Sequence, residues 1–174
     1  CPPSPRPGRV GARKPGTTMP CQPLAEAGEE VPAAAAGLTG DARVLVLACE
    51  HGAGGGDMGG VVTFPCVAMV PPSLIDYILS KDLADGVVVA GCSESACYNR
   101  LGVEWTRQRF AGARDPYLRK RVPRERLATV WASPFEAGRY QAEMAAFSGR
   151  LAALAKAPTP AAGQEAEEGQ EEEA

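Results

Sequence analysis

The chain has 174 residues, enough for one ordinary domain with tails, and its formal net charge of −3 gives no general reason to expect a nucleic-acid partner. No apolar run reaches the roughly 18–20 residues of a membrane-spanning helix, and no positively flanked apolar segment opens the chain as a secretion signal would. In such a chain, six cysteines are more often metal-binding or catalytic than disulfide-bonded, so we expect a cytoplasmic protein with cysteine chemistry.

Both ends of the chain are predicted to lie outside the folded domain. Residues 1–40 hold half of the 16 prolines and show no apolar period, which predicts a flexible lead-in. The chain begins with Cys1-Pro2 rather than Met, and a Cys-Pro pair can close the cysteine run of a ferredoxin, so a preceding ferredoxin-like module in a longer polypeptide stays open. Residues 158–174 are predicted to be an acidic disordered tail.

The folded domain is predicted over residues 41–157 and begins with buried strands. Short continuous apolar runs at 44–48, 61–64 and 87–90 are typical of strands that are buried on both faces of a parallel sheet. A fourth strand is predicted at 127–133. The second strand should end before Pro65, because proline cannot donate to a ladder of hydrogen bonds.

Helices are predicted to alternate with these strands. The first would begin at a Ser73 cap and end at Gly86, and the second would cover residues 103–110 with Trp105 as a candidate anchor. The last is predicted within residues 134–157, where apolar side chains recur at steps of three and four: Tyr140, Met144, Phe147, Leu151 and Leu154. This alternation predicts an α/β fold, a single small domain with a mainly parallel sheet flanked by helices.

Four cysteines are placed at one edge of this predicted sheet. Cys49 ends the first strand, Cys66 follows the second, Cys92 ends the third, and Cys97 lies one short loop further on. Ligands of open parallel sheets gather outside the carboxyl ends of the strands. Four thiolates there could hold a [2Fe–2S] or [4Fe–4S] cluster, since such clusters favour soft thiolate ligands. Small residues around Cys92 and the glycine-rich run at 52–60 would let backbone approach the cofactor.

Other interpretations of these residues stay open. Free cysteines also pack as small hydrophobic residues, zinc could occupy a cysteine site, and Cys92 at a helix start could be the thiol of an enzyme. His51, the only histidine, could ligate iron or simply face solvent. The basic stretch, residues 98–126, has nine Lys and Arg against three acidic residues, and forms either a solvated face or a surface that steers an acidic protein partner.

Several segments together resemble one family. The residues ADGVVVAGCSESACYNRLG carry a strand, a Gly-Cys pair and a second cysteine after four residues, and the other matching segments are TFPCVAMVPPSLIDYIL, VLVLACEHGAGGGDMGG and VWASPFEAGRYQAEMAAFSGRLAAL. From Arg43 to about Leu154 the chain resembles the small iron–sulfur (delta) subunit of methyl-viologen-reducing hydrogenases. That family is also found fused to heterodisulfide-reductase-type flavoproteins.

The resemblance implies an electron-transfer protein rather than a stand-alone catalyst. It implies one [2Fe–2S] cluster on Cys49, Cys66, Cys92 and Cys97, relaying electrons between a hydrogenase- or dehydrogenase-type partner and a heterodisulfide-reductase-like flavoprotein. Asp57 would match an aspartate that recurs in the family. The first segment departs from the pattern, because it lacks the additional cysteine that usually follows near a Trp. A structural or interaction subunit with a zinc or empty site, and a thiol-dependent enzyme, remain the alternatives.

Overall fold

A computed structural model describes residues 24–40, 42–55 and 60–156 of the chain. They contain four α-helices and four strands, whose bounds in chain order are α1 Leu24–Ala36, β1 Val44–Cys49, β2 Val61–Phe64, α2 Pro72–Ser80, β3 Gly86–Gly91, α3 Gly102–Ala111, β4 Leu127–Trp131 and α4 Ala137–Lys156. The strands form one sheet in the order β2-β1-β3-β4, and each neighbouring pair is parallel. The predicted α/β fold with a parallel sheet is confirmed.

Both faces of the sheet are covered, as the continuous apolar runs predicted. Successive residues of a strand point to opposite faces, so Leu45 and Leu47 join the core beneath α1, α2 and α3, whereas Val46 and Ala48 join the core beneath α4. Cys49 and Cys92 belong to the first of these cores. The two cysteines therefore lie on the side of the sheet that α2 and α3 cover.

The predicted lead-in contains a helix, so its predicted flexibility is wrong for residues 24–36. Val31 is fully buried, and Ala34, Ala35 and Leu38 pack against the same core. These positions follow the helical spacing of three and four, but alanine contributes little to an apolar pattern and Pro32 interrupts it. Cys1, Cys21 and the predicted acidic tail at 158–174 lie outside the described residues.

Local details of the predicted helices differ from expectation in four places. Helix α2 begins at Pro72 without a Ser73 side-chain cap, because proline at the first helical position already has the required φ. It ends at Ser80, and Gly86 instead opens β3. Trp105 is half-buried beneath the Arg114 guanidinium rather than anchored in the core, and Leu154 near the end of α4 is 46% exposed.

The basic stretch is largely engaged within the fold. Arg119 and Arg121 both bind the buried carboxylate of Asp76 in α2, with nitrogen–oxygen distances of 2.9 and 2.6 Å. Arg126 donates a hydrogen bond of 2.9 Å to the carbonyl oxygen of Ala84, just before β3. These contacts hold the segment between α3 and β4 against the rest of the domain. They leave less free positive charge for an acidic partner than the sequence alone suggested.

Replacing Asp76 with asparagine is expected to lower the free energy of unfolding by about 1–2 kcal/mol at neutral pH, because charge-assisted hydrogen bonds are lost while both guanidinium groups remain largely solvated. The hydrogen bond from Arg121 is the main reason why the pKa of Asp76 lies below its usual value. The stabilisation is therefore complete above the unfolded-state pKa of about 3.9 and is lost as the pH falls through the lower folded-state pKa. Urea unfolding at several pH values checks this; a difference between the two proteins that stays constant down to about pH 2 would contradict it.

In the described part of the chain, no helix combines the length and the apolar character needed to cross a bilayer.

Candidate metal centre

Two of the four predicted cysteines meet at the carboxyl ends of adjacent strands. Cys49 is the last residue of β1 and Cys92 directly follows β3, and these strands pair in parallel up to Ala48 opposite Ala90. Their Sγ atoms are 3.6 Å apart. Both side chains are buried, with 1% and 3% of their surface exposed. The register of two neighbouring strands thus places two thiols in contact, although 43 positions separate them in the chain.

The other two cysteines both lie beside the start of α3. Cys66 lies between β2 and a short 3-10 helix at Val67–Met69, and Cys97 follows another at Glu94–Ala96. A Cβ atom added to Gly102, the first residue of α3, would lie 2.5 Å from Sγ of Cys66 and 3.4 Å from Sγ of Cys97. Both sulfur atoms therefore lie beside the same backbone position. Only a residue without a side chain lets α3 begin this close to them.

The environment of these thiols is mostly apolar. Burial raises the pKa of the Cys49 thiol to about 12 and also raises the pKa of Cys66. A backbone hydrogen bond from His51 opposes the rise at Cys49, and one from Ala68 opposes it at Cys66. Without a metal these two groups are protonated at neutral pH, so a metal or cluster that binds them must displace their protons.

The four cysteines are grouped by twos. Cys49 lies nearest to Cys92, whereas Cys66 and Cys97 flank Gly102. Among residues 24–40, 42–55 and 60–156, no three His, Cys, Asp or Glu side chains converge closely enough to hold one metal ion between them. All four cysteines are free thiols here. The structure thus brings every predicted ligand to one rim of the sheet, and it does so as two pairs of neighbours.

Gly52 and Gly54, in the described part of the glycine-rich run after Cys49, pack against the end of β3. A Cβ atom on Gly52 would lie 2.9 Å from the carbonyl oxygen of Gly91, and one on Gly54 would lie 2.7 Å from Cβ of Ala90. Gly91 is covered from another side by the ring of Trp131. These glycines let the loop after β1 lie directly on the end of β3, next to Cys92, rather than lining an open space. Asp57 lies outside the described residues.

His51 contacts Glu50 and Tyr98, close to the cysteines. Its Nε2 atom lies 3.3 Å from a carboxylate oxygen of Glu50, and its ring stacks on Tyr98 with 4.0 Å between centroids. Tyr98 follows Cys97 directly and is 72% exposed. The histidine is thus partly exposed and joins the loop after β1 to the loop that carries Cys97. This arrangement fits the solvent-facing interpretation better than iron ligation.

Sequence reasoning missed Gly102 as a residue of the site. Gly102 lies at the start of a predicted helix, only five positions after Cys97. Glycine is a poor helix former, so its presence there could have indicated that the site needs a residue without a side chain. Sequence reasoning also placed Cys92 at a helix start. In the structure Cys92 is buried and is followed by a 3-10 turn rather than by an α-helix.

The chain matches a known protein family. A family model described as methyl-viologen-reducing hydrogenase, delta subunit, matches residues 57–155, which is more than half of the chain. The matched range contains Cys66, Cys92 and Cys97, and Cys49 precedes it. No curated protein matches the chain significantly.

Proposed function

We propose that this chain, which belongs to the methyl-viologen-reducing hydrogenase delta subunit family, carries electrons through one [2Fe–2S] cluster. The proposed ligands of the cluster are Cys49, Cys66, Cys92 and Cys97. Membership makes it a hydrogenase-associated subunit in electron transfer. The presence of the cluster and the identity of its ligands go beyond family membership and are our proposal.

The observation that carries the proposal is the placement of four thiols, as two pairs, at one edge of the sheet. Cys49 and Cys92 are in contact at 3.6 Å, and Cys66 and Cys97 lie together beside Gly102. Four thiolates form a complete ligand set for a [2Fe–2S] cluster, and the donor atoms present are therefore of the right kind and number. Because Gly102 has no side chain, the space beside the sulfur atoms of Cys66 and Cys97 is not filled by a Cβ atom.

The chain would contribute position and environment, while a bound cluster would supply one-electron oxidation and reduction. Cys49, Cys66 and Cys92 are almost fully buried, so water is kept from most of the centre. Backbone N–H groups of His51 and Ala68 donate toward Sγ of Cys49 and Cys66. Hydrogen bonds of this kind stabilise negative charge on ligand sulfur and thereby influence the reduction potential.

Protein partners are implied by membership in a family of hydrogenase subunits. We propose that electrons pass between a hydrogenase- or dehydrogenase-type partner and a heterodisulfide-reductase-like flavoprotein. A cytoplasmic setting agrees with four free cysteines in the described chain, because thiols persist in reducing compartments. Burial of Cys92 gives no support to the alternative of a thiol-dependent enzyme, since a nucleophile must reach its substrate.

The test is to purify the full chain anaerobically, reduce it with dithionite, and record an electron paramagnetic resonance spectrum together with iron and acid-labile sulfide analysis. We expect two iron and two sulfide per chain, and the spectrum of a ferric and a ferrous ion whose coupled spins leave a net single unpaired spin. Colourless protein with stoichiometric zinc, or with no bound metal after reconstitution with iron and sulfide, would instead favour a structural or interaction subunit.

A further inference from the structure

We infer that the two thiol pairs would hold different iron ions of a bound cluster: Cys49 and Cys92 a buried iron, and Cys66 and Cys97 the iron on which an added electron would be favoured. The inference rests on the proposed [2Fe–2S] cluster and concerns which residues serve each half of it. It also determines where electrons enter and leave the domain, which the proposed function leaves open.

The pairing rests on one sulfur–sulfur distance, between Cys49 and Cys92, and on the shared position of Cys66 and Cys97 beside Gly102. Two sulfur ligands of one tetrahedral ion lie about 3.8 Å apart when the metal–sulfur bonds are about 2.3 Å, as they are in zinc–thiolate sites. The 3.6 Å between Sγ of Cys49 and Sγ of Cys92 agrees with two ligands of one ion. The sulfur atoms of Cys66 and Cys97 both lie beside another backbone position, that of Gly102. In a [2Fe–2S] cluster each iron takes two of the four thiolates, so a grouping by twos is the required arrangement.

Exposure distinguishes the two pairs. Cys49 and Cys92 are both buried at the ends of the two central strands, where apolar side chains surround them. Cys97 is the one partly exposed member of the four, and the residues next to it in the loop, Tyr98 and Arg100, are exposed. An added electron brings negative charge, and negative charge is more stable near solvent than in an apolar core. The added electron is therefore expected to be more stable on the Cys66–Cys97 side than on the Cys49–Cys92 side.

Positive charge is also concentrated on the Cys66–Cys97 side. The first turn of the ten-residue helix α3 begins at Gly102, next to both sulfur atoms, and a helix N-terminus carries about half a positive charge. The guanidinium group of Arg109, further along α3, donates a hydrogen bond to the carbonyl oxygen of Ala68, two residues after Cys66. Both charges favour the extra electron on the iron that Cys66 and Cys97 would hold. Exchange with a partner would then take place through the loop of Cys97 and Tyr98.

Four single variants test the inference: Cys49→Ser, Cys92→Ser, Cys66→Ser and Cys97→Ser in the full chain, loaded with 57Fe and reduced with dithionite. Serine oxygen can still ligate iron but changes its spectrum. Mössbauer spectra should show altered ferrous parameters for Cys66→Ser and Cys97→Ser, and altered ferric parameters for Cys49→Ser and Cys92→Ser. Ser95→Ala, an exposed change in the same loop, is the control and should match the unsubstituted protein.

Any other pairing, or a ferrous ion ligated by Cys49 and Cys92, overturns the inference. If the serine variants lose iron, the pairing is tested on the metal-free full chain with diamide, which takes two electrons and two protons from two thiols and leaves a disulfide. Peptide mapping should then find Cys49 joined to Cys92 and Cys66 joined to Cys97; crossed pairs overturn the inference. Whether the unsubstituted protein binds a cluster at all tests the proposed function separately from this pairing.

Discussion

Replacing Cys97 with alanine is expected to lower the iron and acid-labile sulfide content of the purified protein by about tenfold or more. Alanine offers no ligand atom, and loss of even an outer partner of a metal site lowers affinity about 10–100-fold. The fold should survive, because Cys97 is the least buried of the four cysteines and lies in a loop after the 3-10 turn Glu94–Ala96. Iron and sulfide analysis, with far-ultraviolet circular dichroism of the same sample, measures both effects.

Two comparisons make the Cys97→Ala result specific. Ser95→Ala changes the same loop at an exposed position and should keep full iron and sulfide content. Cys49→Ala should also remove the cluster, but at an additional cost in stability because its side chain is buried in the core. Normal iron and sulfide in Cys97→Ala protein would remove this residue from the ligand set and leave the proposed cluster one ligand short.

Replacing Gly102 with alanine is expected to reduce cluster content strongly, even though the change improves the intrinsic helix propensity of α3. The new Cβ atom would lie 2.5 Å from Sγ of Cys66, which is too close for two non-bonded atoms, so the sulfur or the helix must move. Overpacking of this kind costs about 1–3 kcal/mol in a well-packed region. Ligand geometry should suffer more than stability, because the atom that is displaced is the ligand itself.

The matched control for Gly102→Ala is Gly138→Ala, near the start of α4, where an added Cβ atom would meet nothing within 4 Å. That variant should keep its cluster and gain about 0.5–1 kcal/mol of stability, as expected for glycine to alanine within a helix. Equal iron content in the two variants would show that the close approach at Gly102 does not matter for the site. Denaturant unfolding measures the stability of both variants, and iron analysis measures their cluster content.

Much of the domain was predictable because its strands are short, continuous apolar runs. The run at 44–48 became β1 and the run at 87–90 became β3, each with bounds within one or two residues of those predicted. Helix α1 was not predictable in the same way, since its buried face is made mainly of alanine around Val31. Small side chains produce a weak pattern, and their burial depends on the neighbouring β2 rather than on their own hydrophobicity.

The sequence by itself determined the parallel α/β architecture and the placement of four cysteines at one edge of the sheet. Both follow from local apolar patterns and from the order of elements along the chain, because parallel strands necessarily share one carboxyl edge. Only the tertiary structure decided that Cys49 lies against Cys92, that Gly102 lies against Cys66, and that much of the basic stretch is bound internally. These contacts join residues that are tens of positions apart, and their distances depend on strand register and helix packing, which no local pattern encodes.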